Sequence, residues 1–254
     1  MKINFHVHSS FSYDGFNSLK AIYQTAKACG LDAIALTDHD CFDGVKALND
    51  WMRRNGKADL QIIPAEEVTC LDGTHIIGLF LNKKIERGTP QDVCAEIKAQ
   101  GGFVYFPHPV RHDGILSSTA CDEVLPMGDF YECFNAKIDD NFNRAAMTKL
   151  QDKMPPLGGS DAHYNIDIKK CYCELESAGD LKETLAVYRK HRTIAIYGKR
   201  KFGATNYFPI YYKYKKYIPL PQFVRDLGKK IVPWIKNMRD RGKTVALEKI
   251  YPAT

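Results

Sequence analysis

The 254-residue sequence predicts an α/β barrel followed by a basic C-terminal extension. Three observations predict it. Apolar runs with strand character alternate with helical patterns from the start to about residue 197, and repeated β-then-α units argue for a parallel sheet closed into a barrel. Histidines and acidic residues gather at or just past the ends of the strand-like runs, where barrel enzymes assemble their sites. The charge also divides along the chain. Residues 198–254 carry 14 Lys/Arg against 3 Asp/Glu, and residues 1–197 carry 22 against 27. That asymmetry sets the boundary between a barrel over 1–197 and an extension over 198–254.

The elements follow in order. Residues 3–8 read as a strand and 17–29 as an amphipathic helix ended by Gly30. An apolar strand at 33–37 precedes a helix near 43–55. Residues 62–70 and 75–81 read as strands joined by Leu71-Asp72-Gly73-Thr74, the signature of a hairpin. Thr89-Pro90 opens a helix to about Gln100, with proline in the first turn, and Gly101-Gly102 ends it. Strands follow at 103–106 and 129–134, a helix at 139–153, and short strands at 157–160 and 171–175. A helix at 180–190 and a strand at 193–197 close the series.

Composition excludes some classes. With 44% hydrophobic and 26% charged residues the chain reads as an ordinary globular protein, and no apolar run reaches the length of a bilayer span. The start lacks a signal-peptide core. The eight cysteines form no C-x-x-C pair and are expected to be reduced, mostly buried thiols. A cytoplasmic location is therefore expected, peripheral at the membrane if the extension meets lipid.

The polar residues at the strand ends carry the chemistry. His6 and His8 stand two apart on a strand, so both rings face one side, a strong chelating geometry. Asp38-His39-Asp40 follows an apolar strand, where three ionisable groups are costly unless paired or metal-bound, or unless an Asp caps the next helix. Gly158-Gly159-Ser160-Asp161-Ala162-His163 supplies small residues that let backbone pass a crowded cluster, with Asp161 and His163 again at i and i+2. His108 lies between Pro107 and Pro109, which exclude helix there. Glu66-Glu67 ends the apolar run that begins at residue 62, and His75 sits in the hairpin.

The motif order His6-Val7-His8, Ser12-Tyr13-Asp14-Gly15, Thr37-Asp38-His39-Asp40, Glu67-Val68-Thr69, His75, His108-Pro109 and Gly159 to His163 resembles the PHP (polymerase and histidinol phosphatase) family. The resemblance runs from about residue 3 to 197. It implies a distorted (β/α)7 TIM-like barrel holding two or three divalent metal ions. It implies His6, His8, Glu67 and Asp161 as ligands of one metal. Glu67, His75 and His108 would hold a second, with Glu67 bridging, and Asp14, His39 and His163 a third. The donors are all N or O, which suits Mn²⁺, Zn²⁺ or Fe²⁺ without choosing among them. Arg111 resembles a position that grips a phosphate, and His112 is a second candidate for that contact. Glu132 is placed to orient a ligand histidine.

The chemistry expected is hydrolysis of a phosphomonoester, nucleotide-like or another small phosphate, by attack of a metal-bound hydroxide on phosphorus. Glu67 would act through the metals, and His39 or His163 would protonate the leaving oxygen if the third metal is absent. A phosphodiesterase or 5′-exonuclease is the nearest alternative and an amidohydrolase-type C–N hydrolase a more distant one. An inactive barrel serving as a scaffold is the non-enzymatic alternative. In the extension, residues 222–243 read as an amphipathic helix, with Phe223, Leu227, Ile231, Trp234, Ile235 and Met238 opposite Arg225, Lys229, Lys236, Arg239 and Lys243. Three roles stand open for it: docking on the barrel, contact with an anionic membrane surface, or nucleic-acid binding.

Overall fold

A computed structural model describes residues 1–199 and 247–251. The helix expected over 222–243 therefore lies outside the described residues, as does the choice among its three roles. Among the described residues, ten strands form one sheet, threaded by seven α-helices. The chain runs β1 (Lys2–Val7), α1 (Leu19–Ala28), β2 (Ala33–Leu36), α2 (Asp43–Arg54), β3 (Gln61–Thr69), β4 (His75–Leu79) and α3 (Pro90–Ala99). Then come β5 (Phe103–Phe106), α4 (Cys121–Val124), β6 (Phe130–Asn135), α5 (Asp140–Leu150), β7 (Pro156–Gly159), α6 (Asn165–Ile168), β8 (Cys171–Glu174), α7 (Leu181–His191), β9 (Ala195–Gly198) and β10 (Glu248–Tyr251).

Local chemistry explains where these elements start. The Ser18 side chain caps α1 by accepting from the Ala21 amide. Thr89 and Asp92 form a reciprocal capping box ahead of Pro90 at the start of α3, which satisfies two amides that the helix leaves unpaired. Asp180 accepts from the Glu183 amide and opens α7. The β3–β4 turn is closed by Asp72, which accepts from the Thr74 amide and hydroxyl, with Gly73 at φ +87°.

The strand order is β10-β9-β8-β1-β2-β3-β4-β5-β6-β7. The expected parallel (β/α)7 order is met in part, together with the expected hairpin. The β1–β2, β2–β3, β5–β6 and β6–β7 pairs are parallel, whereas β4 is antiparallel to both neighbours and β8, β9 and β10 extend the far side antiparallel. The reason at β4 is the tight turn, because parallel neighbours need a crossover of a dozen or more residues.

Among the described residues the sheet curls without a ladder joining its two ends. Past β7, Ala162 forms a single parallel bridge to Val7, and the Asn17 amide group donates to both His8 O and Ala162 O. The two sides thus meet at the strand ends that carry the polar cluster. One apolar core, including Ile22, Ile34, Leu36, Leu48 and Met52, fills the space between β1–β2 and helices α1 and α2. A larger core, including Phe5, Tyr105, Phe106, Phe130 and Phe134, fills the rest of the fold. All eight cysteines are free thiols, and Cys70, Cys94, Cys133, Cys171 and Cys173 are buried. Among the described residues no helix is long and apolar enough to cross a membrane.

Candidate metal centre

The cluster is built from strand ends. The β1–β2 register shifts between Asn4 and Val7. Val7 then packs with Ile34 and Leu36 beneath the helices, while His6 and His8 turn into the polar cluster. An irregularity of this kind re-aims side chains. Three non-glycine residues around the site sit at positive φ: Asp40 at +50°, His108 at +30° and Asp161 at +48°. Such backbone persists where surrounding contacts over-determine it.

Glu67 is the hub. Its Oε2 lies 2.9 Å from His6 Nε2, 3.2 Å from His8 Nε2 and 3.6 Å from His39 Nε2. Its Oε1 lies 3.0 Å from both His75 Nδ1 and His108 Nε2. Asp161 Oδ1 approaches His8 Nε2 at 3.4 Å and His6 Nε2 at 3.8 Å. On the far side, Asp14 Oδ2 lies 2.7 Å from His163 Nε2 and 3.7 Å from His39 Nε2. All nine residues expected as ligands are thus brought into one connected, largely buried cluster. Groups of donor atoms close enough to share a cation are His6, His8 and Asp161; His39, Glu67 and His75; and His8, Asp14, His39 and His163.

Glu66 faces the other way, where its Oε2 accepts from the Ile85 amide. Burial first, and the nearby acids after it, push its carboxyl up to about 7. Asp38 and Asp40 flank His39 but act as braces. Asp38 accepts from the Ser9 amide and hydroxyl, and Asp40 accepts from the Thr69 amide. Neither caps α2, whose first turn has no side-chain cap.

Behind the cluster, Glu132 organises the support. Its Oε1 lies 3.0 Å from His6 Nδ1 and accepts from the Tyr105 hydroxyl. Its Oε2 accepts from the His108 amide and from Asn135 Nδ2, and the same Asn135 nitrogen reaches Asp161 Oδ2 at 3.1 Å. One carboxylate therefore fixes the His6 ring and the strained His108 backbone. It passes so close to β7 that a Cβ on Gly159 would lie 2.1 Å from Glu132 Oε1. Only glycine fits there.

Electrostatics follow from burial and neighbours. Burial alone would raise the Glu67 carboxyl, but His39, His6 and His108 hold it well below the carboxylate range. Asp161 is likewise desolvated, yet Lys137 and His6 hold it low. Burial pushes His39 down to about 3 despite Glu67 and Asp14. Burial also opposes charge on His163, but Asp14 beside it raises that ring to about 9.

The donor set fits divalent cations. The Nε2 atoms of His6 and His8 stand 3.0 Å apart, and both aim at one carboxylate oxygen. Two lone pairs and an anion so disposed suit a shared cation bound by N and O donors.

Arg111 lies half-buried beside the cluster with its fork held by Asp113: Nε donates to Oδ1 at 2.7 Å and Nη2 donates to Oδ2. The Nη1 side of the guanidinium makes no such bond to Asp113. His112 does not join the cluster. Its side chain is 72% exposed, and its Nε2 is 3.8 Å from Asp113 Oδ2. Two residues of the site carry no motif that would reveal them. Asp113 sits 3.4 Å from His108 Nδ1 and 3.9 Å from His75 Nδ1 and groups with them as a cation-sized set. Lys137, just past β6, places Nζ 2.7 Å from His163 Nδ1.

Residues 4–103 match the model of the PHP domain. An uncharacterised protein of Methanocaldococcus jannaschii is 28% identical over 168 residues, which cover 61% of this chain and 94% of that one. A two-domain protein from Bacteroides vulgatus, described as containing a predicted PHP-like metal-dependent phosphoesterase, superposes with a TM-score of 0.62 at 20% identity. That match covers 77% of this chain and 64% of the other, so this chain spans less than two thirds of that protein. PsfC from Pseudomonas syringae superposes with a TM-score of 0.58 at 19% identity, over 85% of this chain and 96% of PsfC. At these identities the solved structures establish a shared fold.

Proposed function

We propose that this chain is a metal-dependent phosphoesterase that hydrolyses a phosphomonoester, of a nucleotide or another small phosphorylated molecule. The observation that carries this reading is Glu67, whose two oxygens face separate sets of histidines, His6 and His8 on one side and His75 and His108 on the other. A carboxylate so placed suits a bridge between two cations. His6, His8, Glu67 and Asp161 would hold one metal, and Glu67, His75 and His108 a second. Asp14, His39 and His163 would hold a third, with Mn²⁺, Zn²⁺ or Fe²⁺ all compatible with N and O donors. Cations held there would lower the pKa of a bound water and offset the charge of phosphate oxygens.

The chain's own residues do the rest. Glu132 keeps Nδ1 of His6 engaged, so that Nε2 presents its lone pair to the cluster. Asp113 holds Arg111 side-on, which leaves the Nη1 side of the guanidinium to bind a phosphate oxygen. His112, mostly exposed, has at most an outer role in that contact. If the third group holds no cation, His163 is the better proton donor to the leaving oxygen, because it retains its proton at neutral pH. Burial, which lowers His39 to about 3, makes that ring the weaker candidate.

The test is a phosphate-release screen with Mn²⁺ over nucleotides, bisphosphates, sugar phosphates and short oligonucleotides. Turnover of a small monoester that vanishes on chelation supports the reading. Turnover of oligonucleotides alone would transfer it to a phosphodiesterase or exonuclease, and no turnover of any phosphoester would sink it.

A further inference from the structure

We infer that Lys137 is a substrate-binding residue, a second cation that grips the phosphate from the His163 side of the cluster. The inference rests on the phosphoesterase reading above. Lys137 follows β6, and its amide donates to Asn135 Oδ1, which fixes the turn at the mouth of the cluster. Its side chain is only 12% exposed. An ammonium held this far from water ordinarily has acceptors around it.

The contacts it has are poor for that purpose. Its nearest neighbour is His163 Nδ1 at 2.7 Å. That nitrogen also lies 2.9 Å from the Asp161 carbonyl oxygen, while Nε2 of the same ring faces Asp14 at 2.7 Å. A ring that binds a cation through Nε2 carries its proton on Nδ1 and donates it to the carbonyl. It then has no lone pair for Lys137. The remaining anion within 4 Å among the described residues is Asp161 Oδ1, at 3.8 Å, beyond hydrogen-bond distance. Asp161 is itself an expected ligand, so a metal would draw on the same charge.

Lys137 is therefore a mostly buried cation whose one close hydrogen-bond partner, His163 Nδ1, is lost to it if that ring binds a cation through Nε2. Filling the cluster with metal leaves it still less to bond, and an oxyanion supplies what is missing. Arg111 and Lys137 would then clamp the substrate from two flanks. Neither residue is expected to hold a metal.

The experiment titrates inorganic phosphate calorimetrically into full-length, Mn²⁺-loaded protein, with metal content measured by mass spectrometry. Lys137→Met is expected to keep the wild-type metal content and to bind phosphate about 10- to 100-fold more weakly, as loss of one charge-assisted hydrogen bond predicts. Lys137→Arg should recover most of that loss, and KM should carry the defect more than kcat. If Lys137→Met does not fold, Lys137→Gln takes its place in the same titration. Phosphate affinity within about twofold of wild type, or loss of a metal equivalent in the variant, would overturn the assignment. The second outcome would make Lys137 a brace for Asp161. If wild-type protein binds no phosphate and turns over no phosphoester, the phosphoesterase reading and this one fall together. If wild type turns over phosphoesters and Lys137→Met is unaffected, this one alone falls.

Discussion

Glu67 shows how much one side chain can be asked to do at the residue scale. Each of its oxygens meets a different set of imidazoles, so its charge supports both halves of the cluster at once. Glu67→Gln keeps the shape and removes the charge. Metal content should fall by more than one equivalent and hydrolysis should drop by at least about a hundredfold, the upper scale of the losses seen when a metal's support is removed. Retention of full metal content with full activity would be incompatible with a bridging role. Protons compete at the other end of the cluster. The metal-free His163 ring titrates at about 9, raised by Asp14 against the pull of burial. Below that value a cation must expel a proton from His163 to bind; above it the proton is already gone. Affinity at the Asp14, His39 and His163 group should therefore rise with pH and level off above about 9. Competition titrations with a chelating dye from about pH 6.5 to about pH 9.5, in steps of about one unit, would show it; a flat profile would mean that His163 does not ligate. Asp113 and Lys137 are not legible in the sequence for a physical reason. Neither repeats at chelating spacing, and each matters through a contact made by folding, to His108 in one case and to His163 in the other.

At the scale of elements, most of the fold is legible because its signals are local. The β3–β4 hairpin shows in two strand-like apolar runs around a Gly-containing turn, and α3 shows in Thr89-Pro90 and its capping box. The strand ends with their histidines are equally visible. Sheet closure is not, since an open curl and a closed barrel bury the same alternating residues, and only the pairing of the two edges distinguishes them. β10 escapes a reading of the sequence because its four residues, Glu-Lys-Ile-Tyr, include a single buried apolar side chain, Ile250. β7 illustrates how an element can be tuned to the site it carries. A Cβ on Gly159 would meet Glu132 Oε1 at 2.1 Å and His6 Cβ at 2.5 Å. Neither neighbour can retreat without breaking the His6 and His108 contacts to Glu132. Gly159→Ala should lower stability by about 1–3 kcal/mol or more, the range for overpacking a filled core. It should also weaken metal binding, because the carboxylate that orients His6 is the group displaced. Urea unfolding paired with metal analysis would test both. A variant as stable as wild type with intact metal content would show that the strand can yield.

At the scale of the molecule, the pairing of β10 with β9 changes how the basic segment is viewed. Gly198 pairs with Glu248, and Tyr197 with Lys249. Residues on both sides of the boundary expected at 198 thus pair along one edge of the sheet. The cluster has a global consequence too. It gathers Glu67, Asp161 and Asp14 with six histidines where the segment past β7 meets the end of β1. Strands β1, β3, β4 and β7 or the residues just beyond them all contribute, so a cation bound there ties together parts of the chain far apart in sequence. An unfolded chain offers no such preformed set, and binding therefore favours the folded state. At a free metal concentration about 100 times the dissociation constant, each occupied site adds about 2.7 kcal/mol, which for a protein of this size raises Tm by roughly 5–10 °C. Chelator-treated protein should melt lower than protein with added Mn²⁺ or Zn²⁺, and Glu67→Gln should lose most of that difference. The Tm gain should also keep growing with metal concentration beyond saturation, as linkage requires. A melting temperature indifferent to metal would show that the cluster is a buried polar network and not a binding site.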